Sequence, residues 1–197
     1  MRLVLFMAIT GIAMIAGAFI SFSIVAAILH TSLSEMQTIL LSSEHAMMAQ
    51  LANALASLIA FGAPSIIIAF FAKGYWVRNM GFNPISNKHQ IGLVILLSIA
   101  GLFLSGALGD LTEKIPLPAN VESWARGMED QYKKALLAMT QMKSWIDLLF
   151  AIVTVALIPA IAEELFFRAS LQKIFMDIFE KPYWAIVITA IIFSAFH

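Results

Sequence analysis

One apolar run, long enough to cross a membrane, constrains this chain more than any other feature. From Leu3 to Leu29 no side chain is charged, and about 20 such residues cross the hydrocarbon core of a bilayer as a helix. A cleaved signal peptide is the alternative, because the residues from Ala16 to Ala18 resemble a small-residue cleavage site. The apolar region of a signal peptide spans only about 7–15 residues, however. The longer run here therefore predicts an uncleaved membrane helix.

Further apolar runs extend this prediction over the whole chain. Hydrophobic residues make up 61% of the chain and charged residues 12%, compared with about 45–50% and about 25% in soluble domains. Positive and negative charges cancel and the basic residues are scattered, which excludes a nucleic-acid-binding surface. Without cysteine, the chain has no thiolate metal ligand and no cysteine nucleophile. We predict an all-α, multi-pass transmembrane helical bundle of about five helices, with apolar runs at Leu3–Leu29, Leu51–Ala72, Ile91–Gly109, Trp145–Phe167 and Tyr183–His197.

The last apolar run is shorter than a membrane span and has no polar residue after it. We therefore expect residues 1–197 to form a single membrane-embedded domain that is C-terminally incomplete, with more helices in the full-length protein. Two connections also carry helix-start patterns. Asn120 is expected to cap a helix from Val121 to Met142, and Asp147 is expected to complete a helix start with Ser144.

The distribution of lysine and arginine predicts the orientation in the membrane. There is no lysine or arginine between His30 and Gln50, whereas the connection from Lys73 to Gln90 has three such residues. Because basic connections stay in the cytosol, the N-terminus and the segment from Arg168 to Pro182 are predicted to be cytosolic. The segment from Asp110 to Ser144 is then external, although it carries basic residues of its own: Lys114, Arg126, Lys133, Lys134 and Lys143.

A cluster of charges ends the fourth apolar run, where each ionisable group costs about 2.5–3.5 kcal/mol on insertion scales. Glu164 and Arg168 are four residues apart, so on a helix they share a face and form an ion pair. Glu163 is rotated by about 100° from Glu164 and has Phe167 as its neighbour four residues on. We expect Glu163 to find its partner on another helix and to suit the role of a general base. A stabilising interfacial cluster is the alternative.

A hairpin at Lys181-Pro182 predicts where that partner lies. Proline cannot continue a helix at this point, and the segment after Arg168 keeps an amphipathic helical pattern up to the turn. At about 1.5 Å per residue, the helical legs from Glu163 to Lys181 and from Lys181 to His197 span about 27 Å and about 24 Å. The hairpin would thus bring His197 level with Glu163. The alternative for a histidine in an apolar run is a hydrogen-bonded core residue.

The two charged strings resemble the motifs of the CAAX protease and bacteriocin-processing (CPBP/ABI, type II CAAX prenyl protease-like) family of intramembrane proteases. Its Glu-Glu-x-x-x-Arg motif matches Glu163 to Arg168, and its Phe-x-x-x-His motif matches Phe193 to His197. The resemblance covers mainly residues 145–197. It implies an intramembrane endopeptidase that hydrolyses a peptide bond in a membrane-associated protein or peptide, by CAAX-type or leader-peptide processing.

The same resemblance implies a role for each motif residue. Glu163 would activate the attacking water, His197 would position that water, and Glu164 with Arg168 would hold the helix in register. In the family a later helix with His-x-x-x-Asn completes the site, and this chain has no such string, so the fragment is expected to be inactive if it stands alone. The metal is left open: if zinc or another divalent metal is present, Glu163 and His197 would be its ligands.

The expected partners are a peptide or membrane-anchored protein substrate and the lipid bilayer, with no nucleic acid. The resemblance also implies a multi-pass protein of the bacterial inner membrane whose active site opens toward the cytosol. A non-catalytic membrane scaffold or transporter-like protein, which binds an ion or a partner helix through the same charges, is the alternative function.

Overall fold

The computed structural model describes residues 2–71, 89–112, 114, 116, 118–140 and 142–196. Every regular element in these ranges is helical, which confirms the predicted all-α fold. Four of the helices are long and apolar enough to cross a membrane: α1 (Arg2–Leu29), α3 (Ala46–Phe71), α4 (His89–Thr112) and α6 (Trp145–Phe179). The shorter helices are α2 (Met36–Leu40), α5 (Ala119–Met139) and α7 (Pro182–Phe196).

The helix boundaries follow the apolar runs closely but correct one predicted cap. α5 begins at Ala119, so Asn120 lies inside the helix and does not cap it. The Pro118 carbonyl instead accepts hydrogen bonds from the backbone N–H groups of Val121 and Glu122, both at 2.9 Å. Proline suits the position before the helix. The N–H groups at a helix start have no partner within the helix, and proline has no N–H group that would need one.

The predicted start of α6 is confirmed in detail. The Asp147 backbone N–H donates to the Ser144 hydroxyl, and the Ser144 N–H donates in return to the Asp147 carboxylate. The second of these hydrogen bonds measures 2.9 Å, and the Lys143 N–H joins it on the same carboxylate oxygen at 2.9 Å. This reciprocal arrangement satisfies N–H groups that the helix leaves open at its start.

By its internal contacts the chain divides into two units, Met1–Phe82 with Lys134–His197, and Asn83–Lys133. The second unit contains α4 and most of α5. Within α5, two ion pairs join residues four positions apart, Arg126 with Glu122 and Lys133 with Glu129, each at 2.6 Å. α5 thus carries paired charges along its length, whereas α1 has Arg2 as its one charged residue.

The first unit is a bundle in which α1, α3, α6 and α7 surround one aromatic core. α1 and α3 approach closely at Gly17, where an added Cβ would lie 3.2 Å from the Ala56 carbonyl oxygen and 3.3 Å from the Ile59 Cβ. Small residues permit such close packing of membrane helices. The buried core side chains are Phe6, Phe166, Phe167, Leu171, Ile174, Phe175 and Ala185.

Three stretches of the long helices are wound as π-helix. Leu58–Gly62 and Ile152–Leu157 each end two residues before a proline, Pro64 and Pro159 respectively. Because proline has no N–H, the carbonyl four residues before it loses its usual donor, and a π-turn re-pairs carbonyls with the N–H five residues on. The third stretch, Glu164–Leu171, has no proline and contains the Glu164 to Arg168 part of the first motif.

Candidate functional site

The predicted hairpin between α6 and α7 is confirmed. Glu180 ends α6 in the left-handed conformation with φ 54°, and its N–H donates to the Met176 carbonyl. α7 then begins at Pro182, and its chain runs back along α6, because Ala185 packs into the same core cluster as Leu171 and Phe175. The turn therefore lies at the position that the Lys181-Pro182 pattern indicates.

This hairpin brings the two motifs into contact through their aromatic residues. Phe167, inside the first motif, lies edge-to-face against Phe193, the first residue of the second motif, with ring centroids 5.0 Å apart. Phe167 also contacts Phe196 at 5.8 Å. Edge-to-face pairs of this kind contribute about 0.5–1.5 kcal/mol each beyond the burial of their area. The contact fixes the register between the two helices at the motifs themselves.

Phe166 holds the other side of the first motif in the bundle. Its ring stacks on Phe6 of α1 at 4.9 Å and packs against Phe61 of α3 at 5.2 Å. Phe166 and Phe167 are each only 2% exposed. Helices α1, α3 and α7 thus all pack against the segment of α6 that carries the motif, and this segment is held rigidly.

The predicted ion pair forms at the surface of this segment. The Arg168 guanidinium lies 3.4 Å from the Glu164 carboxylate, and the two side chains are 72% and 57% exposed, respectively. In water an exposed pair at this spacing stabilises an isolated helix by about 0.2–0.5 kcal/mol, but in a membrane span the loss of one partner leaves an unpaired charge, which costs more. The two charges therefore neutralise each other on the outer face of α6, away from the aromatic core.

Glu163 occupies a different environment from Glu164. It is half-buried and follows Ala162, which is fully buried. The predicted partner, His197, lies outside the described residues, so the separation of Glu163 and His197 stays a prediction. Phe196, immediately before it in the chain, does contact both Phe167 and Phe61.

The motif lies well inside the bundle along the axis of α6. At the far end of this helix, Asp177 forms an ion pair with Arg2 of α1 at 3.1 Å. Glu163 precedes Asp177 by about 20 Å of helix at roughly 1.5 Å per residue, a distance comparable to two thirds of a hydrocarbon core of about 30 Å. The half-buried carboxylate is therefore remote from the charged end of the bundle.

The described residues do not by themselves make up a metal site. No group of three or more histidine, cysteine, aspartate or glutamate side chains with suitable geometry is found within the described ranges. Of the two adjacent glutamates, Glu164 is engaged by Arg168, and His197 lies outside those ranges.

The helices and their composition define an integral membrane protein with several spans. Within it, residues 145–197 match the family model of the Type II CAAX prenyl endopeptidase Rce1-like proteins. The match is to a family of proteases, and it confirms the resemblance over the segment that contains both motifs. Neither the curated proteins nor the solved structures compared with the chain gave a match.

Two features of the site were not predicted from the sequence. The first is the set of aromatic contacts between the motifs, for which the adjacent Phe166 and Phe167 were an available indication. The second is the π-helical winding of Glu164–Leu171, for which the sequence holds no proline or other marker. π-turns are rare and occur frequently at functional sites. The winding is therefore a second indication, beside the motif itself, that this segment is functional.

Proposed function

We propose that the chain is the motif-bearing part of an intramembrane endopeptidase that cleaves a peptide bond in a membrane-associated protein or peptide. The observation that carries the proposal is the direct contact of Phe167 with Phe193 and Phe196. It brings together two motifs that lie on different helices, as a shared site requires. The family match over residues 145–197 supplies the reaction class.

In the proposed reaction, Glu163 acts on the attacking water. Its carboxylate accepts a proton from the water as the oxygen bonds to the carbonyl carbon of the substrate, and His197 orients that water. The resulting tetrahedral oxyanion collapses, the C–N bond breaks, and the proton held by Glu163 passes to the leaving amine. The half-buried position of Glu163 supports this role, because a general base must lie within reach of the attacking water while it stays next to the packed bundle.

Glu164 and Arg168 have a positioning role in this proposal. Their pair lies on the outer face of α6, so neither group is directed into the aromatic contact between the motifs. By neutralising each other they allow this turn of the helix to remain in the membrane, where a single unpaired charge is costly. This helical turn thereby positions the neighbouring Glu163 side chain.

We further propose that the protein lies in a bacterial inner membrane and that its site opens toward the cytosol. The orientation rests on the absence of lysine and arginine between His30 and Gln50 and on the basic residues between Lys73 and Gln90. Of the second segment, only the last two positions belong to the described residues. The substrate is expected to be a CAAX-type protein or a leader peptide.

A cleavage assay on the full-length protein in lipid vesicles tests this function. We expect cleavage of at least one member of a panel of prenylated CAAX peptides and leader peptides. Glu163→Gln keeps the size of the side chain but removes the proton acceptor, so the rate should fall by about 10²–10⁴-fold. Glu180→Gln, a matched change at the exposed turn, should cleave at the normal rate. If the folded wild-type protein cleaves nothing in the panel, the non-catalytic scaffold is the better description.

A further inference from the structure

A small cavity opens at the charged end of the first unit, between the start of α1, the end of α3 and the amphipathic part of α6. Its volume is about 180 Å³. Ligand pockets for whole drug-sized molecules measure about 300–1,000 Å³, so this cavity is sized for a single chemical group. It lies beyond the motif along α6, and neither Glu163 nor Glu164 lines it.

The cavity lies near the ends of helices that are long and apolar enough to cross a membrane, where lipid headgroups are expected. Three membrane-spanning helices reach it with their termini: α1 with Arg2, α3 with Phe71 and α6 with Asp177. The side chains of Leu5 and Phe71 beside it are 49% and 75% exposed, respectively. An acyl chain can therefore lie against an apolar surface directly below the charged opening.

The charges at the opening favour an anion. Among the described side chains that line the opening, Arg2 and Lys173 are positive and Asp177 is negative. Arg2 and Asp177 pair at 3.1 Å through one guanidinium nitrogen. A guanidinium carries five N–H donors, so Arg2 has donors left for a second acceptor. The opening thus offers hydrogen-bond donors and positive side chains to a negatively charged group with several acceptor oxygens.

Ser170 supplies a second and independent indication of a polar ligand. It is 3% exposed, yet it lines the cavity, and among the described residues its hydroxyl has no hydrogen bond. The buried hydroxyls of Thr10, Ser65 and Thr154, in contrast, all donate to a carbonyl of their own helix. Because Ser170 lines the cavity, its hydroxyl is available to donate a hydrogen bond to a ligand there.

From these observations we infer that the cavity binds the phosphodiester group of an anionic membrane phospholipid. The phosphate accepts a hydrogen bond from Ser170 and pairs with Arg2 and Lys173, while an acyl chain runs along Leu5 and Phe71. Basic pockets between membrane helices on the cytosolic side are suited to such headgroups.

Native mass spectrometry and thermal unfolding of the full-length protein in a neutral detergent test this site. Phosphatidylglycerol is titrated against phosphatidylcholine, whose headgroup carries no net charge. We expect phosphatidylglycerol to bind at low stoichiometry and to raise the unfolding temperature by several degrees, because a ligand that binds only the folded state stabilises it. Phosphatidylcholine should give a clearly smaller shift, and an equal shift would contradict the proposal.

Variants separate the site from general attraction to the membrane surface. Ser170→Ala removes one hydrogen bond to a charged acceptor and should weaken phosphatidylglycerol binding about tenfold or more, without changing any charge. Lys173→Gln should weaken it as well, whereas Lys181→Gln removes a positive charge at the turn, outside the cavity, and should not. Unchanged binding in both Ser170→Ala and Lys173→Gln would overturn the inference. So would an equal stabilisation by inorganic phosphate alone, which would show a simple anion site and no lipid.

Discussion

The adjacent glutamates of α6, Glu163 and Glu164, lie in different environments. Glu164 lies one turn before Arg168 and pairs with it on the outer face, whereas Glu163 is half-buried beside the fully buried Ala162. The pair was predictable, since a spacing of four residues on a helix fixes which side chains share a face. The aromatic contact of Phe167 with Phe193 was not, because periodicity does not select partners on another helix.

The two glutamates should therefore respond differently to the same substitution. Glu164→Gln leaves Arg168 without its counter-ion near the membrane, so we expect a lower yield and a lower unfolding temperature together with reduced activity. Glu163→Gln should lose activity while its unfolding temperature stays close to that of the wild-type protein. Parallel thermal unfolding and cleavage measurements check this difference. Equal unfolding temperatures for both variants would refute the positioning role of Glu164.

Phe167 should be the side chain on which the contact of the motifs depends. Truncation of a buried phenylalanine typically costs about 3–5 kcal/mol, and Phe167→Ala removes ring contacts with Phe61, Phe166, Phe193 and Phe196. Phe70→Ala is the matched control, because Phe70 is 74% exposed and has a ring contact with Phe71. We expect a much lower unfolding temperature and loss of cleavage for Phe167→Ala only. A similar loss in both variants would speak against a special role for Phe167.

At the level of helices, the sequence located the membrane spans but not their internal winding. Pro64 and Pro159 predict a local irregularity in α3 and α6, and the structure contains π-turns just before both prolines. The third π-turn, Glu164–Leu171, has no such marker. The face that α1 buries could not be predicted either, because this span is apolar all round and periodicity then carries no information.

The packing of α1 against α3 gives a prediction with opposite outcomes at two glycines. Gly17→Ala places a Cβ 3.2 Å from the Ala56 carbonyl oxygen, which is part of a rigid helix, whereas an added Cβ at Gly11 has nothing within 4 Å. In a helix interior, alanine is favoured over glycine by about 0.8–1.0 kcal/mol. We expect Gly11→Ala to leave stability unchanged or raised and Gly17→Ala to lower it. Thermal unfolding of both variants decides, and a gain at Gly17 would show that the two helices separate easily.

For the whole molecule, the arrangement of helix ends agrees with the alternation predicted from the sequence. The ion pair of Arg2 with Asp177 and the shared cavity with Phe71 bring the start of α1 and the ends of α3 and α6 to one end of the bundle. Which end faces the cytosol is a separate question, since it depends on where basic residues lie. In α5 some of the basic residues are paired: a hydrogen bond from Lys133 holds the pKa of Glu129 below its ordinary value, so that pair carries no net charge at neutral pH.

Single cysteines can determine this orientation, because residues 1–197 contain none. Ser34, after α1, and Lys181, in the turn after α6, are both exposed and lie at opposite ends of the first unit. We expect Ser34→Cys to react with a membrane-impermeant maleimide in intact cells and Lys181→Cys to react only after permeabilisation. Phe19→Cys, in the middle of α1, should react in neither case and serves as the control. The reversed pattern would invert the protein and place the cavity end outside the cell. Labelling of Ser34→Cys and Lys181→Cys from the same side would contradict the helix arrangement itself. α1 crosses the membrane once, so Ser34 must lie on the side opposite to the bundle end where Arg2 pairs with Asp177.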